Sequence, residues 1–264
     1  MATDIPLTEF DPDPRDAISG SIRSRTGVRL PDAAVLTLLG TVSSDWAQQH
    51  GFQAVHEVEM ITRVFPVWVG EHAGRSVALT EIPLGGPGAV IVLEHLLALG
   101  ARTLVAVGSC GGLVHFDEGQ FVLPTKALRD DGTSHHYLPP GRWVELDPQV
   151  RAACAAAVQA AELRYLEAPT WTTDAFYRET RAKVNARREE GCQVVDMECA
   201  SLAACASFRG ARFGQILYTA DTLAEEDHDP RLWGRQFRQT ALELALDAAA
   251  RLEPLPEEPG VRSE

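Results

Sequence analysis

Two glycine clusters, Leu84-Gly85-Gly86-Pro87-Gly88 and Val107-Gly108-Ser109-Cys110-Gly111-Gly112, each follow a short apolar run, and together they limit what this chain can fold into. Glycine permits sharp reversals and close backbone approach, and open α/β sheets bind ligands outside the carboxyl ends of their strands. The first cluster precedes a run of helical period over 89–99. Its amides can therefore cradle an anion at a helix N-terminus, or simply turn the chain. The second follows a strand expected over 103–107 and reads as another turn. Neither contains a G-x-G-x-x-G opening a helix or a Gly-Lys-Ser/Thr, which speaks against NAD and ATP. A small anion or a hydroxyl-rich molecule remains.

Around these clusters, short β-branched and apolar runs at 34–39, 65–69, 76–80, 103–107 and 215–219 predict strands. The segments 148–161, 196–207 and 233–251 predict helices, the last with Phe237, Ala241, Leu244 and Ala248 on one face. The alternation implies an α/β fold. A chain of 264 residues, 45% hydrophobic, is long enough for one large domain, expected over 28–252. Proline and acidic residues mark 1–27 and 253–264 as solvated tails. With 24 basic against 37 acidic residues the net charge is −13, which repels nucleic acid and anionic lipid. No apolar run reaches about 18 residues and no basic-apolar leader opens the chain, so neither a membrane span nor a secretory signal is expected. Five cysteines, an odd number without a Cys-x-x-Cys pair, suggest neither a disulfide framework nor zinc, and fit a reducing cytoplasm.

Two acidic positions carry candidate chemistry. In Val195-Asp196-Met197-Glu198-Cys199-Ala200 an apolar run gives way to an Ala-rich helix, and a carboxylate there can accept hydrogen bonds from paired sugar hydroxyls or favour the helix N-terminus. Asp221 ends a strand, as a general acid or as a helix cap.

Together with Thr173-Asp174-Ala175-Phe176-Tyr177, these stretches stand in the order and spacing of the nucleoside phosphorylase superfamily, which includes purine nucleoside phosphorylase, uridine phosphorylase and the methylthioadenosine nucleosidases. The chain resembles that family over about 30–252. The resemblance implies a three-layer α/β/α sandwich around a central mixed sheet, and a homo-oligomer, from dimer to hexamer, whose active sites share residues between subunits. It also implies that Glu198 binds the ribose hydroxyls, Met197 packs on the sugar, Phe176 lies against the base, and Ser109 with the Gly108 amide contacts phosphate or nucleophile. Asp221 matches the acid with which purine-specific members protonate the base. No metal or cofactor is implied, with inorganic phosphate as co-substrate.

The phosphate end departs from the pattern. Family phosphorylases carry an arginine in the turn after the first strand, where this chain has Gly40-Thr41-Val42-Ser43-Ser44, and another three residues before the serine of the Gly-Ser cluster, where it has Ala106. Arg63 matches the arginine lent by a neighbouring subunit. Arg129, Arg178, Arg181 and Lys126 are candidate replacements. The nucleosidase branch uses a glutamate-activated water at the position of Ser44; Asp45, one residue on, is a substitute base if the turn shifts by a residue, and is otherwise expected as a solvated helix cap. His135 and His136, read as adjacent residues of an extended segment beside Asp130 and Asp131, point to opposite faces and so argue against a metal. The expected activity is phosphorolysis of a nucleoside, of purine type, to free base and (deoxy)ribose 1-phosphate. The alternatives are a phosphate-independent hydrolase and a near-inactive nucleoside-binding paralogue.

Overall fold

Ala33–Thr37 (β1) is buried along its whole length, because parallel neighbours flank it on either side: Arg75–Glu81 (β4) and Thr103–Gly112 (β5). A strand covered on both faces reads as an unbroken apolar run, as this one does. Gln53–Glu59 (β2) and Val64–His72 (β3) extend the sheet antiparallel beyond β4. On the other side Arg212–Thr222 (β10) runs parallel to β5, and Val194–Asp196 (β9) meets the end of β5 antiparallel. Phe121–Asp130 (β6) and Tyr165–Thr173 (β8) join β10 to β9, so that β5, β10, β6, β8 and β9 close into a ring. Trp143–Glu145 (β7) pairs with β6. This computed structural model describes residues 5–18, 22, 26–225 and 228–255.

Alternate residues of β1 enter different cores. Val35 packs with helices Val42–Gln49 (α1), Pro148–Ala160 (α4) and Arg238–Arg251 (α7). Ala34 and Leu36 pack with Gly86–Ala98 (α2) and Cys199–Phe208 (α6) on the opposite face. The result is an α/β/α sandwich around a mixed sheet. A helical turn, Ser134–Tyr137 (α3), and a polar helix, Arg181–Glu189 (α5), complete the described helices.

Four local expectations are corrected. Gly108–Gly112 is not a turn but the end of β5. Glycine is needed there for packing, since a Cβ at Gly108 would lie 3.1 Å from Leu38 and one at Gly111 3.0 Å from Val195. The closing helix starts at Arg238 rather than Trp233, preceded by a 3-10 segment, Arg231–Phe237. The positive φ of Arg231, Trp233 and Gly234 (41°, 58° and 56°) is incompatible with α-helix. His135 and His136 lie on the α3 turn, not on an extended segment. Asp45 lies in the first turn of α1 instead of capping it.

In the segment expected as an N-terminal tail, Phe10 sets its ring edge-on to Phe208 at 6.2 Å and Asp16 pairs with Arg209 at 3.0 Å. Residues 1–4, 19–21 and 23–25 of that segment, and 256–264 of the acidic tail, lie outside the described residues. Among the described residues no helix is long and apolar enough to cross a membrane.

Candidate active site

The start of α6 brings two acids to the sheet edge and gives them different tasks. Asp196, fully buried, accepts from the Glu198 and Cys199 amides (3.0 and 2.6 Å) and from the hydroxyls of Thr170 and Thr172 (3.1 and 2.7 Å). It is the cap of this helix end. The Glu198 side chain is thereby left to reach across to the first glycine cluster, where Oε1 accepts from the Gly85 amide at 2.6 Å. Gly85 has φ +90°, and a Cβ on Gly86 would stand 2.1 Å from Ser201 Oγ, so only glycine lets the N-terminus of α2 approach α6 this closely. Burial, reinforced by the charge of Asp196, pushes the Glu198 carboxyl up to about 8. Met197 lies half-buried between the two acids.

Asp221 owes its direction to a β-bulge. The register of β10 on β5 steps from Thr219 opposite Cys110 to Asp221 opposite Gly111, leaving Ala220 as the extra residue. A Cβ at Gly111 would come within 3.3 Å of Asp221 Oδ1, so glycine makes room for the carboxyl. Burial raises the Asp221 pKa, while its hydrogen bond with His228 Nε2, at 2.8 Å, opposes the rise. Glu179 is a second, half-buried acid here; burial, then the nearby charge of Asp221, raises it to about 7. Phe176 lies on a 3-10 turn with its ring 6.4 Å from that of Trp233, which in turn stands 5.8 Å from His228. Trp233 is 43% exposed, an aromatic face left open beside the acid.

The opposite end lies where β1, β4 and β5 finish. Glu81, 3% exposed, pairs with Arg63 and accepts from Ser44 Oγ at 3.3 Å. Thr37, its register partner on β1, shares a 2.6 Å hydrogen bond with Ser43. Arg63 is thus held by a carboxylate of its own chain. Ser109 is exposed on an otherwise buried strand, and Tyr218, its register partner, is buried with its ring 6.3 Å from that of Phe237, the residue before Arg238.

Two half-sites at the carboxyl ends of one sheet, joined by the glycine end of β5, match an architecture already known. A sequence profile of the phosphorylase superfamily matches residues 32–253. This chain belongs to that superfamily. Uridine phosphorylase of Haemophilus influenzae is 25% identical over 210 residues, 72% of this chain and 82% of that protein. The structure of Toxoplasma gondii purine nucleoside phosphorylase in complex with immucillin-H superposes with a TM-score of 0.72 at 21% identity, covering 87% of this chain and 94% of that one. AMP nucleosidase of Bacteroides thetaiotaomicron superposes at 0.70 and 22%, covering 88% and 96%. The chain is therefore an enzyme of the nucleoside phosphorylase and nucleosidase group, acting on small-molecule nucleosides.

As a phosphorylase-superfamily member, the chain gathers Gly108, Ser109, Asp221 and the Val195 side of β9 around β5, and Glu198 with Gly85 beside them. Most of the replacement cations named from sequence are committed elsewhere. The Arg129 guanidinium donates to Ser134 and to the carbonyls of Leu138 and Pro139. Lys126 stacks on Trp143 at 4.2 Å, Arg181 donates to the Leu223 carbonyl at 2.6 Å, and Arg178 is exposed. Sequence reasoning missed Glu81, Glu179, His228, Trp233 and Arg238. Only the aromatic-basic run Arg231-Leu232-Trp233-Gly234-Arg235 hinted at any of them. Among the described residues no group of three or more His, Cys, Asp and Glu could hold a metal.

Proposed function

We propose that this enzyme cleaves the N-glycosidic bond of a purine nucleoside by phosphorolysis. The observation that carries the reading is Asp221, a carboxyl re-aimed by a bulge into a buried setting that favours its protonated form. An acid placed there can donate to the base as the bond breaks. A phosphate oxygen bonds to C1′ of the sugar while the bond from C1′ to the base nitrogen breaks. Its electron pair passes into the base, and the Asp221 proton goes to N7, so that a neutral purine leaves. Glu198 accepts from the ribose hydroxyls and, once its proton is lost, stabilises the positive charge that develops on the sugar. Met197 packs on the sugar, Phe176 lies against the base, and Ser109 with the Gly108 amide contacts phosphate. The uridine phosphorylase relative makes a pyrimidine the rival base.

Hydrolysis is the second reading, and Glu81 favours it: a buried carboxylate bonded to Ser44 could take a proton from an attacking water.

The same reading has inorganic phosphate as co-substrate, no cofactor, and a homo-oligomer with shared sites in the cytoplasm. Five unpaired, buried cysteines support a reducing compartment. Exposed Ile61 and Val64, flanking Arg63, with exposed Leu84 and Ile91 at the start of α2, support a second copy docking beside the nucleophile end.

The test is release of base from purine and pyrimidine nucleosides, with and without phosphate, identifying the sugar product. Phosphate-dependent release of purine with sugar 1-phosphate is the expected result. Free ribose formed equally fast without phosphate would replace phosphorolysis by hydrolysis.

A further inference from the structure

We infer that Arg238 is the guanidinium that receives phosphate at the nucleophile end, replacing from the last helix the arginine absent at Ser44. The inference rests on the phosphorolytic reading above.

Three observations place Arg238 there. Its Nη1 lies 3.2 Å from where a Cβ on Gly40 would stand and donates to the Leu39 carbonyl at a long 3.4 Å. The guanidinium therefore sits over the turn that follows β1. Phe237, the residue before Arg238, sets its ring 6.3 Å from that of Tyr218, the register partner of Ser109 at the end of β5. Arg238 thus reaches the first of the two places where the family's arginines are missing, the turn that follows β1.

The third observation is an unmet donor. Arg238 Nε is sealed from solvent and has no hydrogen-bond partner. A guanidinium offers five N–H donors in a planar fork that suits a phosphate, and a buried donor without an acceptor is unfavourable until one arrives. No carboxylate among the described residues pairs with Arg238, whereas Arg63 at the same end is matched by Glu81. With Arg63 cancelling Glu81, Arg238 brings the uncancelled positive charge that a dianion requires. Gly40 takes φ +64°, and it keeps the space above the turn clear for this side chain.

The experiment compares the wild-type protein with Arg238→Gln, Arg238→Lys and the control Arg235→Gln, an exposed neighbour. Two quantities are read: the phosphate concentration for half-maximal base release, and the rise in thermal midpoint produced by inorganic phosphate alone. Arg238→Gln should raise the phosphate half-saturation at least tenfold, leave the nucleoside KM within about twofold, and abolish the phosphate-induced rise. Arg238→Lys should fall between, because it keeps the charge but loses the fork, and it decides the matter if the glutamine variant does not fold. Arg235→Gln should match wild type. A phosphate-dependent wild type with unaltered phosphate dependence in the Arg238 variants overturns this inference alone. A wild type that releases base without phosphate overturns the phosphorolytic reading, and the inference with it.

Discussion

The two ends of the site are built in different ways. At the end we assign to the base, burial raises the pKa of Asp221 and of Glu179, and aromatic rings of Phe176 and Trp233 stand alongside. Burial there, opposed by the His228 hydrogen bond, favours a group that keeps its proton. The nucleophile end is a place of compensated charge, with Glu81 against Arg63 and Arg238 near Tyr218 and Ser109. Desolvation shifts two carboxyl groups at one end, while at the other the net charge depends on which ion pairs form. The base end is therefore set by local burial, and the nucleophile end by residues brought from the turn before β3, from β4 and from α7.

Substitutions on the base side test this contrast most strongly. Asp221→Asn keeps the shape and the contact with His228 but removes the transferable proton. It should lower kcat by about 10²- to 10⁴-fold with modest change in KM, measured as base release; an unchanged kcat would remove Asp221 from its role.

Glu198→Gln retains an acceptor for the Gly85 amide and loses the ionisable carboxyl that we assign to the sugar. A fall in kcat/KM of roughly 10- to 100-fold is expected, the equivalent of a charge-assisted hydrogen bond. The same variant has a pH signature. The folded-state pKa of Glu198, about 8 against an ordinary 4.5, means that the native state holds a proton which the unfolded chain releases. Stability contributed at low pH is lost as pH rises from about 4.5 to 8, by on the order of 3–5 kcal/mol. Glu198→Gln should flatten that decline in urea titrations at pH 5 and pH 8; an equal slope in both proteins would contradict the burial argument.

The smallest effect is expected from Trp233→Ala. Loss of a stacking face should raise the nucleoside KM about five- to tenfold and leave phosphate half-saturation unaltered. A change in phosphate dependence instead would blur the division between the ends.

How much of this could be read before the fold was known differs by end as well. Asp221, Glu198, Met197, Phe176 and the Gly108-Ser109 pair stand in short motifs, and the structure brings Ser109, Gly111, Asp221 and Val195 together at one sheet edge. The second glycine cluster was misread as a turn because glycine signals a reversal and a tightly packed strand equally. Its true cause, the nearness of Leu38, Val195 and Asp221, is tertiary. Trp233 escaped notice because its helical spacing with Phe237 and Ala241 hid the positive φ values that break the helix before Arg238.

Sequence alone determined the superfamily, the layered α/β architecture and the positions of the two acids. These depend on periodic burial and on residues close together in the chain, which local patterns report. The tertiary structure alone decided that Asp196 caps while Glu198 reaches Gly85, that a bulge aims Asp221, and that Arg238 lies over the Gly40 turn. Each of these is a contact between segments far apart in sequence or a one-residue change of register, and neither leaves a mark in composition or spacing.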